Sequence, residues 1–204
     1  RGPKYNFELA LLADGVAPAD IYTTLSTPEG QARALRKLNS IKNNIVWFDK
    51  PSEFFDLITQ KGNAMGVAFN GRAFMAIVNE RKPLAILWER QIYSFDYWAI
   101  PRGSKNVDAA KEFIRFATSA ISLADQARYL PYGPARRSAA RFPVKHSELD
   151  MEMKTWLPTH EPNLKGALAF DPVWWSNNEA TLNEQFLTWQ EGRKPATGGG
   201  NTPQ

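Results

Sequence analysis

An α/β fold is what this sequence predicts, and three observations predict it. The apolar runs Ile45 to Phe48, Ala64 to Phe69, Leu84 to Trp88 and Phe95 to Ile100 have the length of buried strands. Segments with one-face helical spacing lie between and after them, so strand and helix signals interleave. Of the 204 residues, 43% are hydrophobic, enough to bury a substantial core in one large domain or two small ones.

Each element has its own local cause. Residues 5 to 25 carry helix-like apolar spacing broken at Gly15, and Pro18 sits where the first turn of a new helix tolerates it, which predicts two short helices. Thr27 followed by Pro28 is a helix start, and Leu35, Leu38 and Ile41 continue one face to about Lys42. After the strand signal at 45 to 48, Asp49 with Pro51 opens a helix through Thr59 that Gly62 closes. The run Ala64 to Phe69 leads through Asn70-Gly71 into a helical segment, Arg72 to Glu80, forming a βα unit. Ser104 or Asn106 caps a helix containing Ala110, Phe113, Ile114 and Ala117. Residues 131 to 172 are rich in proline and read as irregular wrapping. Ser176 and Glu179 read as a capping box for a last helix that ends at Gly192, and the Gly, Thr and Pro tail beyond Lys194 reads as disordered. No internal repeat is present.

Composition removes several function classes. The net charge of +4 comes from scattered Lys and Arg with no basic block, so nucleic acid is not an expected partner, although a basic nucleic-acid or scaffold domain is a weaker alternative. Cysteine is absent, which excludes disulfides, thiolate nucleophiles and Cys-based metal sites. His146 and His160 match no zinc spacing and read as loop residues; no metal and no cofactor is expected. No stretch approaches the roughly 18 apolar residues of a membrane helix. The start at Arg1 reads as a processed, truncated or partly sequenced protein. The motifs Gly-x-Ser-x-Gly, Gly-x-x-x-x-Gly-Lys, His-Glu-x-x-His and Gly-x-Gly-x-x-Gly are missing, so an enzyme is not expected; one with an unrecognised site is the remaining catalytic alternative.

Three segments carry chemistry. In Phe69-Asn70-Gly71-Arg72 a strand ends, the chain turns on Gly and a helix begins, so N–H groups and a cation face one space; the segment suits a ligand carboxylate or is a plain turn with a solvated Arg. In Ser94 to Pro101 one carboxylate, Asp96, stands among Phe95, Tyr97 and Trp98. Buried there, it needs a cation, either a ligand ammonium flanked by aromatic rings or an intramolecular Lys or Arg. Tyr129 to Pro134 is a rigid aromatic turn that by itself reads as a packed loop.

At these same segments the sequence resembles the spermidine/putrescine branch of the type II periplasmic solute-binding proteins of ABC transporters, in order from about Arg1 to Gly192. Gly66 to Phe74 (Gly-Val-Ala-Phe-Asn-Gly-Arg-Ala-Phe) resembles the family's strand–turn–helix. Asp96 to Pro101 (Asp-Tyr-Trp-Ala-Ile-Pro) resembles its Asp-x-x-Ala-Ile-Pro, Ala109 to Ile114 the following helix, and Tyr132-Gly133-Pro134 its tyrosine turn. The resemblance implies two α/β lobes closing on a ligand, a periplasmic location and an ABC permease as partner. Residues 1 to 94 would begin the second lobe, 95 to 141 would cross into a partial first lobe, 142 to 192 would return to the second, and 193 to 204 would be the tail. Most of the first lobe would be absent, leaving an apolar face open to dimer contacts or domain swapping.

The same resemblance assigns site residues. Asp96 matches a carboxylate that pairs with a ligand amine, Tyr132 a cleft tyrosine, and Phe69 a position usually held by Trp. Ser94 replaces a cleft Trp beside Trp98, while Tyr5 lies in a basic, phenolic start (Arg1-Gly-Pro-Lys-Tyr5) where polyamine binders are acidic; Arg72 replaces a small polar residue. These departures leave a single carboxylate and add a cation. The ligand is thus expected to be a putrescine- or spermidine-like polyamine or, with an amine at Asp96 and a carboxylate at Arg72, a short ω-amino acid such as γ-aminobutyrate.

Overall fold

The computed structural model of the chain describes residues 2–60 and 65–192. The helix stop expected at Gly62, the first residue of the run from Ala64, and the tail from residue 193 lie outside the described residues, as does Arg1. Packing divides the chain into two units. One joins the residues up to Trp47 with those from Phe170 onward; the other is Phe48–Ala169. That division reflects packing inside this chain, whereas the expected boundaries at 94/95 and 141/142 concern which lobe each segment would join.

The first unit is helical. Helix α1, Asn6–Ala13, α2, Ile21–Leu25, and α3, Pro28–Asn39, pack on one another, with a 3-10 turn at Pro18–Asp20 where the proline signal stood. The Thr27 side chain accepts from Gly30 N at 3.1 Å, satisfying one of the unpaired donors of the first turn of α3. Helix α8, Pro172–Glu191, completes the unit and stops at Gly192, whose φ of 72° supplies the left-handed C-cap. Its start differs from the expected capping box. Asp171 caps it by accepting from Trp174 N at 2.8 Å with Pro172 in the first turn, and Ser176 lies inside the helix, donating to Val173 O. Phe7, Leu11, Ile21, Leu25, Trp175, Leu182 and Phe186 form the interior, with Trp47 edge-on to Phe186 at 5.6 Å.

One carboxylate is part of that interior. Glu8 is fully buried; its Oε1 accepts from Trp175 Nε1 at 2.6 Å and Tyr22 OH at 3.2 Å, while Oε2 has no partner among the described residues. Tyr22 OH in turn accepts from Asp171 N at 3.0 Å, so α1, α2 and the start of α8 meet through one hydrogen-bonded chain. Desolvation raises the Glu8 carboxyl above the usual 4.5, opposed by the Trp175 and Tyr22 hydrogen bonds.

In the second unit, helix α4, Pro51–Gln60, is followed by α5, Asn70–Phe74, which widens into a π-helical turn at Met75–Asn79. Helices α6, Val107–Ala117, and α7, Ala120–Gln126, follow, α7 capped by Ser119 through Ser122 N. Phe74, Ala124, Ala127, Ala139, Val144, Met153 and Leu157 form one cluster. Phe54, Phe55 and Ala76 form another, with Phe48 and Leu84 packed against it.

None of the four strand signals is realised as a paired strand among the described residues. Among the described residues the sheet is one parallel pair, β1, Ile92–Tyr93, against β2, Leu168–Ala169, in register Ile92↔Leu168. The runs 45–48, 65–69, 84–88 and 95–100 join no strand pair. A strand signal states that a segment fits a pleated, half-buried surface, and a strand forms only where a neighbour accepts its hydrogen bonds. Residues 131 to 167 are irregular as expected, held by side-chain amides: Asn163 donates to Thr155 O and Leu157 O, and Gln91 to Pro158 O and Asn163 O.

Two stability outcomes follow from the first unit. Gly30→Ala, which in an open helix would stabilise by about 0.5–1 kcal/mol, here places a Cβ 1.9 Å from the Thr24 carbonyl oxygen. Urea unfolding should therefore show a loss of about 1–3 kcal/mol; a gain would mean that α2 and α3 do not approach as described. For Glu8, both folded and unfolded chains are protonated below pH 4.5, so its contribution is intact there. As pH rises the unfolded chain ionises first, and stability falls until the folded carboxyl ionises too. Glu8→Gln should remove this decline, so the melting temperature of Glu8→Gln minus that of the parent should grow as pH rises from 4 to 8.

Candidate functional site

The sequence-predicted residues of the second unit fall into two groups. The first is built on α5. Phe69 is its extended N-cap residue, and Phe69 O accepts from Arg72 N at 3.0 Å and Ala73 N at 3.1 Å, fixing the turn. Phe74 is buried below, so α5 is anchored while Phe69 and Arg72 are exposed. The Asn70 side-chain amide donates to Pro131 O across 61 residues of sequence. Gly71 lies against the Tyr132 ring: a Cβ there would stand 3.0 Å from Cε1 and 3.3 Å from the hydroxyl. Arg72 and Tyr132 therefore flank one turn, with Tyr132 44% exposed.

Tyr132 projects from a clamped tripeptide. Pro131 is fully buried, Tyr132 N donates to Leu130 O at 2.7 Å, and Gly133 is pressed so closely on Thr159 that a Cβ would meet its Cγ2 at 2.4 Å. The sequence shows the Tyr132 turn but not the part played by Asn70, Gly133 or Thr159. An Asn-Gly pair signals a turn, and the distant carbonyl that its amide reaches leaves no local trace.

The second group is Ser94, Asp96 and Trp98, on an extended, exposed segment. Burial of Asp96 among aromatics was expected; instead Asp96 is exposed, as are Phe95, Tyr97 and Trp98. Trp98, 58% exposed, meets Phe113 edge-on at 5.1 Å, and α6 buries no residue although its apolar positions share a face: Phe113 is 52% and Phe116 69% exposed. Arg72 and Asp96 have no ion-pair partner among the described residues. Opposite charges left unpaired are what a zwitterionic ligand requires of its host.

Tyr5 belongs to the first unit. Its φ of 67° and ψ of −35° are unusual for a residue with an aromatic side chain, and its ring lies 5.0 Å from Phe170, which stacks on Trp175 at 6.4 Å. Phe170 was not singled out in the sequence, because a lone aromatic before an Asp-Pro helix start reads as packing. Among the described residues no group of His, Cys, Asp and Glu could hold a metal ion, and no helix is long and apolar enough to cross a membrane.

Comparison with known proteins identifies the class. The family model of the bacterial extracellular solute-binding proteins matches residues 1–155, and the chain belongs to that family. It is 35% identical over 189 residues to a gamma-aminobutyric acid-binding protein of Pseudomonas aeruginosa, an alignment covering 93% of this chain and 52% of the relative. Its fold is similar to that of an ABC transporter substrate-binding protein from Bradyrhizobium japonicum, with a TM-score of 0.72, 24% identity, and coverage of 92% and 56% of the two chains. A solved GABA receptor superposes with a TM-score of 0.61 at 27% identity, over 91% of this chain and 53% of the receptor. The chain thus has the α/β fold of a periplasmic binding protein and spans about half the length of the relatives it matches.

The uneven burial of the aromatics gives a direct check. Trp98→Ala should change the stability of the 204-residue chain by less than about 1 kcal/mol, whereas Phe74→Ala, deep in its cluster, should cost about 3–5 kcal/mol. Equal losses in chemical denaturation would mean that Trp98 is covered in solution.

Proposed function

We propose that this chain is the ligand-gripping part of the periplasmic solute-binding component of an ABC importer whose ligand is a short ω-amino acid of the γ-aminobutyrate type. The observation that carries the reading is a pair of opposite charges with no ion-pair partner among the described residues, Arg72 beside the Tyr132 wall and Asp96 on the aromatic segment. In the reading, Arg72 takes the ligand carboxylate and Asp96 its ammonium, with Phe69, Tyr132 and Trp98 as apolar walls and Ser94 as open space. The 35% identity to a gamma-aminobutyric acid-binding protein supports it from an independent side. Binding rather than turnover is the role, and delivery to a permease is the consequence.

The lobe assignment belongs to the same proposal. Residues 1 to 94 and 142 to 192 form the second lobe, and 95 to 141 cross to the first. The exposed Phe95, Trp98, Phe113 and Phe116 on that crossing stretch support it, because apolar side chains in such number signal a surface that another part packs against. Uncovered, the same face invites a dimer or a domain swap. A polyamine is the second reading, favoured by the exposed carboxylate of Asp96 together with the motif order of the polyamine branch; Arg72 opposes it by repelling a second ammonium.

Calorimetry on this chain within a complete two-lobed protein separates the readings. Arg72→Ala should weaken γ-aminobutyrate binding by at least about 2 kcal/mol, roughly thirtyfold. Asp96→Asn should cost about 2–5 kcal/mol with the fold intact. Putrescine binding that holds or rises in Arg72→Ala, with no ω-amino acid bound by the parent, would replace the zwitterion by a polyamine. The isolated chain should bind either ligand more weakly than micromolar.

A further inference from the structure

The charged turn and the aromatic wall are fastened to each other by contacts that no ligand supplies. Asn70 immediately precedes Gly71 and Arg72, and its side-chain amide donates to the carbonyl of Pro131, the residue before Tyr132. Pro131 is fully buried and Gly133 is pressed against Thr159, so the tripeptide that carries Tyr132 has little freedom of its own. The Tyr132 ring rests on the bare Cα of Gly71, a seat that a single methyl would intrude on. The Tyr132 hydroxyl has no hydrogen-bond partner among the described residues, and neither has the Arg72 guanidinium. Two unused donors thus border the same turn, and their spacing depends on whether Asn70 holds the two strips of chain together.

We infer that Asn70 is a positioning residue: its amide fixes the Tyr132 wall to the arginine-bearing turn, making a preassembled half-site for a carboxylate, and Gly71 sets its width by leaving room for the ring. This deepens the ω-amino acid reading and rests on it for the identity of the ligand. The half-site itself rests on contacts within one unit of this chain. Preassembly lowers the ordering cost of binding, so loss of the Asn70 contact weakens affinity without being a loss of ligand contact.

The test uses the 204-residue chain labelled with 3-fluorotyrosine, whose six tyrosines give resolvable fluorine resonances, Tyr132 being assigned by Tyr132→Phe. Asn70→Asp keeps the size of the side chain but loses the donor, and Gly71→Ala keeps the donor but fills the seat. Each should move the ligand-free Tyr132 resonance and leave those of Tyr5 and Tyr22 in place, with the melting temperature near the parent's. Millimolar γ-aminobutyrate should shift the Tyr132 resonance of the parent, with the dissociation constant raised on the order of tenfold in both variants. An unmoved ligand-free Tyr132 resonance in both variants overturns the positioning role, whatever the ligand does. Should Asn70→Asp fail to fold, Gly71→Ala alone decides by the same resonance. If the ligand-free shifts occur but neither γ-aminobutyrate nor putrescine moves the Tyr132 resonance when the same parent sequence is labelled within a complete two-lobed protein, the positioning stands and the functional reading falls.

Discussion

The position of the turn that carries Arg72 depends on how α5 is wedged between two apolar clusters. Phe74 and Ala76 are two residues apart, about 200° around a helix, and are buried in different clusters, Phe74 with Met153 and Leu157, Ala76 with Phe54 and Phe55. A short helix has little stability of its own, so burial on both sides supplies what its hydrogen bonds cannot. The π-helical turn from Met75 widens the backbone at the same place. Held in this way, the preceding turn can present Arg72 to solvent at a fixed position.

The helices were legible because their signals are local. Thr27 before Pro28 and Gly192 after α8 each act within one turn and are found where the residues put them, whereas α3 ends at Asn39 rather than near Lys42 and leaves Ile41 exposed outside it. At the start of α8 two capping motifs compete five residues apart, and Asp171 with Pro172 prevails by adding another turn and bringing Trp175 onto Glu8. Helix α7 was missed for the opposite reason: its cap, Ser119, follows α6 too closely to stand out as a separate start. Strands were the harder case. Residues 84–88 and 95–100 are strand-like in composition, but pairing is non-local, and the one pair that forms joins Ile92 to Leu168 across sequence that carries no strand signal.

The candidate site was legible to the same extent. Arg72, Asp96 and Tyr132 are conspicuous by type and by motif, and the closeness of Tyr132 to the Asn70-Gly71 turn bears on two of the motifs together. Its causes were hidden: an amide reaching over 61 residues, and glycines needed for what they lack. Asp96 is exposed rather than buried because aromatic neighbours in sequence need not be neighbours in space, and a carboxylate between exposed rings on an extended segment remains in water. The irregular stretch 131–167 was recognised as irregular from its prolines, but not how such a backbone is satisfied, which falls to Asn163 and Gln91.

The exposure of Trp98 also gives the molecule an optical gauge. An indole more than half in water emits at longer wavelength than one sealed in the interior, such as Trp175 on its carboxylate, so the two ends of the emission band report different regions. Anything that comes to lie over residues 95–117 will pull the red edge of that band toward the blue while the Trp175 contribution stays fixed. Of the seven tryptophans Trp98 is the exposed one and Trp175 the buried one, with the other five half-buried, so covering of the α6 face can be followed at the red edge with no label attached.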